Sequence, residues 1–157
     1  MSGDVPGCIA CDLTAGREPL PGGVIADTAS WRVEHTVGPL GVGTLIVKPL
    51  RHVLHVADLT PEEAAEVGPL LRAASAVVTE LLRPEQVYVC LWSHAGEGGG
   101  PGHIHFVIQP VSRELVERHG AKGPSLQVAV FEAGEALDEA ELEAFCDRAR
   151  AAWPEPR

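Results

Sequence analysis

His103-Ile104-His105 is where the side chains of this 157-residue chain offer the most chemistry. In a strand, alternation places both imidazoles on one face with Val107 and Gln109, while Ile104, Phe106 and Ile108 turn into a core. A neutral imidazole carries a lone pair that can attack an electrophile, take a proton or bind a metal. Gly98-Gly99-Gly100-Pro101-Gly102 stands directly before it. Glycines let backbone N–H groups approach an anion closely, as a phosphate requires. Cys8-x-x-Cys11 is the third feature, a spacing at which two thiolates can share one tetrahedral Zn²⁺. His103 and either His52 or His55 are the candidate further ligands, and spacing does not choose between the last two. A thioredoxin-like redox role for the cysteine pair lacks the βα context it needs.

The elements that must position these residues are legible in part. Val24-Ile25-Ala26 and Trp31 to His35 read as short strands, and Thr44-Leu45-Ile46-Val47-Lys48 as a buried strand stopped by Pro49. The first 23 residues read as the cysteine pair followed by a Gly/Pro-rich loop. Thr60-Pro61-Glu62-Glu63 has the signature of a capping box, and Val67, Leu70, Leu71, Ala74, Val78 and Leu81 recur at helical spacing until Pro84. Val87 to Trp92 and His103 to Gln109, the latter stopped by Pro110, read as an antiparallel pair joined by a glycine-rich loop. Ser112 to His119 and Pro124 to Ala133 read as short helices, and Asp138-Glu139-Ala140-Glu141 caps a final amphipathic helix carrying Leu142, Phe145, Ala149 and Trp153. The fold class is α+β: a mainly antiparallel sheet, one long helix and a C-terminal helical tail. Cys90 and Cys146 read as core or semi-buried thiols, and Trp31, Trp92 and Trp153 as packing residues, with Trp92 near enough to the loop to stack on a base.

Composition narrows the function classes. Lys and Arg number 12 against 22 Asp and Glu, a net charge of −10, which argues against a general nucleic-acid or anionic-membrane binder. No apolar stretch approaches the roughly 20 residues that cross a bilayer, and residues 1–6 lack the pattern of a secretory signal. Four cysteines, two of them close together, suit a reducing compartment, so the expected location is cytoplasmic.

Cys8-x-x-Cys11, Thr44 to Val53 with its Pro49-x-x-His52 turn, the capped helix, and Gly102-His103-Ile104-His105-Phe106-Val107-Ile108-Gln109-Pro110, in that order, resemble the histidine triad superfamily. The resemblance covers residues 8–115, leaving 116–157 as a tail of one histidine-triad-like domain. It implies an α+β fold, a homodimer, and a hydrolase or nucleotidyltransferase acting on a nucleotide or nucleotide conjugate at its α-phosphorus. The family motif is His-x-His-x-His, or His-x-His-x-Gln in one branch; this chain has His-x-His-x-Val. In the preferred register His103 is the first position, sharing a structural zinc with Cys8, Cys11 and His52, and His105 is the nucleophile that forms a nucleotidyl-histidine. The other register puts Pro101 first. Gly100 and Gly102 are the expected backbone donors to phosphate, with Ser93, His94 and Gln109 as supplementary polar contacts. Val107, which cannot hydrogen-bond as His or Gln would, motivates an alternative: a nucleotide-binding or regulatory protein with weakened turnover. A third reading, a hydrolase whose metal activates water, requires an open coordination position.

Overall fold

Five strands form one antiparallel sheet in the order β1-β2-β3-β5-β4 in the computed structural model, which describes residues 3–93 and 100–155. The strands are β1 (Val24–Asp27), β2 (Trp31–His35), β3 (Leu45–Pro49), β4 (Gln86–Trp92) and β5 (His105–Val111). The helices are α1 (Ile9–Ala15), α2 (Pro61–Leu82), α3 (Arg113–His119), α4 (Pro124–Ala133) and α5 (Glu139–Ala152). The fold is α+β, as its alternating and helical apolar patterns require.

β4 and β5 are the antiparallel pair that the glycine-rich loop joins, in a register that sets Trp92 opposite His105 and Cys90 opposite Val107. Both ends of β5 differ from the sequence reading. β5 begins at His105, because Ile104 spends its N–H on Val53 (2.9 Å) in a loop outside the sheet. It also runs through Pro110, since the pairing with β3 ends at Ile108 and the proline interrupts no bond on that side. The larger difference is α1. Residues 9–15, to which the sequence reading assigns no element ahead of its Gly16–Gly23 loop, form a helix whose first turn holds the cysteine pair, with Cys8 at its N-cap and Gly16 closing it in the left-handed conformation.

One face of the sheet buries Trp31, Val33, Leu45, Val47 and Ile108 against Leu70, Ala74, Val77 and Val78 of α2. Leu142, Phe145, Cys146 and Ala149 of α5 belong to the same cluster, so the C-terminal tail is built into the main core. Gly22 permits this approach: its φ is +80°, and a Cβ there would lie 2.4 Å from the Cys146 sulfur.

α2 carries the expected capping box. Thr60 Oγ1 accepts from the Glu63 N–H (3.2 Å), and the Glu63 carboxylate accepts from the Thr60 N–H (2.8 Å). The same carboxylate receives Arg51 Nε (2.6 Å) and Nη2 (2.8 Å), and the Arg51 guanidinium holds its carboxyl below the usual range. Trp31 Nε1 donates to the Glu63 carbonyl (2.9 Å), which fixes the helix start to β2. Replacing Thr60→Ala leaves the Glu63 N–H without its acceptor and is expected to cost about 1 kcal/mol, read as a lower urea midpoint at unchanged slope.

Candidate active site and metal centre

The first turn of α1 and two loops bring Cys8, Cys11, His52 and His103 together, with one ligand atom of each within 4.8 Å of all the others. His103 Nδ1 lies 3.6 Å from both sulfurs, and His52 Nδ1 lies 3.4 Å from the Cys11 sulfur. Metal bonds of about 2.0–2.3 Å in a tetrahedron imply donor separations of about 3.3–3.8 Å, which these distances match. His103 Nε2 donates to the Pro49 carbonyl (3.1 Å), turning the Nδ1 lone pair toward the cluster. Burial pushes the Cys11 thiol up to about 11 and holds the His103 imidazole neutral down to about 4. A group of thiols and neutral imidazoles with so little access to water suits a divalent metal that displaces the thiol protons. The choice between His52 and His55 is made by the backbone: Gly3 accepts from the His52 N–H (2.7 Å), while His55 is exposed at the start of the Val56–Asp58 turn.

His105 stands next to this cluster. Its Nδ1 donates to the carbonyl of His103 (3.0 Å); a carbonyl only accepts, so the proton is on Nδ1 and the lone pair on Nε2. His105 also lines a cavity of about 510 Å³ on the sheet face opposite α2. The floor draws on two cross-strand rows, Lys48, His105 and Trp92 from one and Glu34, Ile46 and Val107 from the other. One runs Arg32–Lys48, and the β3–β5 register carried one place past Val47–Phe106 takes it across to His105 and Trp92. The other runs Glu34–Ile46–Val107–Cys90. Ile9, Ala10 and Leu13 of α1 and Val128, Phe131 and Glu132 of α4 supply walls. Ile9, Val37, Val128 and Phe131 are exposed large apolar side chains, and all four line the cavity. Such a concentration of open apolar surface is the mark of a binding surface, for a small molecule or for another chain.

The sequence reading missed the ion pair in this floor. Lys48 Nζ lies 2.6 Å from Glu34 Oε1 and donates to the Ala10 carbonyl (2.9 Å), with the two side chains 1% and 2% exposed. Glu34 Oε2 is buried with no hydrogen-bond partner among the described residues. Burial pushes the Glu34 carboxyl up and the Lys48 ammonium down, each opposed by its partner's charge. The available signal was alternation: Glu34 pairs with Ile46, so Lys48 sits diagonal to it on the same face.

The expected phosphate contacts are placed less directly. Ser93, Gly100 and Gly102 do not line this cavity, although the glycines immediately precede His103. His94 lies outside the described residues. Gln109 is fully buried; its Oε1 accepts from Gln127 Nε2 (3.4 Å) beneath α4, whose coverage closes the sheet face on which the sequence reading had left it open. Trp92 Nε1 donates to Gln127 Oε1 (2.6 Å), so the indole that borders His105 is held by α4.

No family model matches the chain, and no curated protein matches it. Solved structures do match. A HIT-like protein involved in cell-cycle regulation from Bartonella henselae superposes with a TM-score of 0.68 at 16% identity, over 92% of this chain and 94% of its own. A hypothetical histidine triad nucleotide-binding protein from Sulfolobus tokodaii gives 0.66 at 14% identity, over 92% and 91%. The chain has the histidine triad fold. A Zn-bound histidine triad family protein from Mycobacterium smegmatis gives 0.60 at 17% identity, over 92% and 96%. Within this fold the chain carries a four-residue thiol and imidazole cluster beside His105, and a buried valine, Val107, two residues further along β5.

Two outcomes test this geometry. Purified protein is expected to carry about one tetrahedrally bound divalent metal, absent from Cys11→Ser by elemental analysis; at about a hundredfold excess of metal over its dissociation constant the loss costs about 3 kcal/mol. Lys48→Met strands a buried carboxylate and is expected to cost about 3–5 kcal/mol, whereas the double change Glu34→Leu/Lys48→Met recovers most of it in chemical denaturation.

Proposed function

We propose that the chain is a nucleotide hydrolase or nucleotidyltransferase that works through a covalent nucleotidyl-histidine at His105. The observation that carries this is the hydrogen bond from His105 Nδ1 to the His103 carbonyl, which leaves the ring's nucleophilic lone pair on Nε2 of a side chain lining the cavity. Phosphate esters and anhydrides repel anionic nucleophiles, and a neutral imidazole avoids that repulsion. In this reading His105 Nε2 attacks the α-phosphorus, the N–P bond forms, and the bond to the leaving group breaks. Water or another acceptor then cleaves the N–P bond and returns the neutral ring. Gly100 and Gly102 are assigned backbone N–H donation to the phosphoryl oxygens, with Ser93 and His94 kept as supplementary polar contacts and Gln109, buried under α4, excluded from that role.

The ion suited to Cys8, Cys11, His52 and His103 is Zn²⁺, which when bound lends the fold cross-links between α1 and two loops. Four protein ligands fill a tetrahedron, so its role is structural, and the His103 backbone it helps to hold is the one that orients His105. A homodimer in the cytoplasm completes the reading. The open edge of the sheet at β4, where Val89 and Leu91 are exposed, supports the dimer.

Val107 favours a second reading, a nucleotide-binding protein with little turnover, because this buried apolar side chain has no proton for a leaving group. Incubation with adenosine and uridine phosphoramidates separates the two. The enzyme is expected to gain the mass of one nucleotidyl group at His105 under acid-free trapping, and His105→Ala to lose at least about a thousandfold in rate. Tight binding without product over hours supports the second reading, and normal turnover by His105→Ala overturns the mechanism.

A further inference from the structure

We propose that Glu34 selects the base of the ligand, its Oε2 accepting a hydrogen bond from an exocyclic amino group of a nucleobase seated over Ile46 and Val107. The proposal rests on the nucleotide reading above and adds to it which part of the nucleotide is discriminated and by which residue.

A carboxylate oxygen buried at 2% side-chain exposure without a partner among the described residues is costly, and native structures keep few of them. Lys48 does not relieve it, because the ammonium is committed to Oε1 and to the Ala10 carbonyl. Glu34 lines the cavity that His105 lines; Oε2 is enclosed as it stands, and a turn about the soft χ3 torsion, which carries both oxygens, presents it to an arriving donor while the Lys48 ammonium follows Oε1 on its flexible stem. A ligand N–H would satisfy the oxygen and gain a charge-assisted bond.

Position decides which part of the ligand arrives. A carboxylate repels the phosphoryl group, which belongs beside His105. Glu34 is on β2 and His105 on β5 with β3 between them and one same-face row apart, so their Cα atoms are about 12 Å apart, a gap that the two side chains reaching into the cavity shorten. That span matches the reach from a 5′-phosphoryl group to the far edge of its base, and the nearer sugar hydroxyls fall short of it. The surroundings suit a flat heteroaromatic ring: Ile46 and Val107 form the floor, with Ile9, Leu13 and Phe131 on the walls.

The test uses the wild-type protein and the ligand's own atoms, so it does not depend on a variant that folds. Isothermal titration compares adenosine 5′-monophosphate with purine riboside 5′-monophosphate, and guanosine with inosine 5′-monophosphate, alongside the 2′-deoxy and 3′-deoxy forms. The better-bound amino nucleotide is expected to lose at least about tenfold in affinity when its amine is removed, and less than about threefold when either hydroxyl is removed. In Glu34→Leu/Lys48→Met, with its thermal midpoint checked, the amino-to-desamino ratio is expected to fall to near one. A desamino nucleotide that binds as well as its parent overturns the proposal, as does a loss that follows the hydroxyls or a ratio that survives in the double variant. If the His105 adduct forms without any dependence on the amine, the proposal fails alone; if no nucleotide binds and no adduct forms, the functional reading fails with it.

Discussion

An ammonium sealed inside a protein must find anionic or carbonyl oxygen, and Lys48 is such a group. It meets the demand with Glu34 on the neighbouring strand and the Ala10 carbonyl within the first turn of α1. Those two contacts place α1 across the sheet face that β2, β3 and β5 present. Ala10 lies between the two cysteines, so the same ammonium that holds a carboxylate in the cavity floor also holds the turn that aims Cys8 and Cys11. The cavity and the thiol–imidazole cluster therefore share a wall.

His103 joins the two sites from the other side. Its ring offers Nδ1 to the cysteines and Nε2–H to Pro49, while its carbonyl receives the proton on His105 Nδ1. One residue thus serves the cluster with its side chain and the neighbouring imidazole with its backbone. The cross-links that a metal would add among α1 and the loops of His52 and His103 bear on the orientation of His105 without any contact between ion and ligand.

The opposite wall comes from the C-terminal third. α4 brings Val128 and Phe131 to the cavity and locks Trp92 through Gln127, which also occupies Gln109. α5, packed on α2 and β1, holds this region to the main core. The cavity is thereby an apolar slot with one imidazole at one side and one carboxylate and ammonium pair at the other.

Local chemistry made much of this visible in the chain itself. The Thr60–Glu63 box and the helical spacing after it announced α2 because capping and amphipathic burial act over a few residues. Alternation set His105 and Val107 on one strand face, and the Cys8-x-x-Cys11 spacing announced paired thiolates. The order of these segments carried the histidine triad resemblance. Tertiary structure decided what spacing alone could not. His52 and not His55 reaches the cysteines because a backbone bond to Gly3 orients its loop. Gln109 is withdrawn from the ligand face because α4, far along the chain, covers it. Glu34 and Lys48 read as charges within apolar strands; only the β2–β3 register and the closure of α1 make them a buried pair, since a charge is buried by its distant neighbours and not by its own sequence.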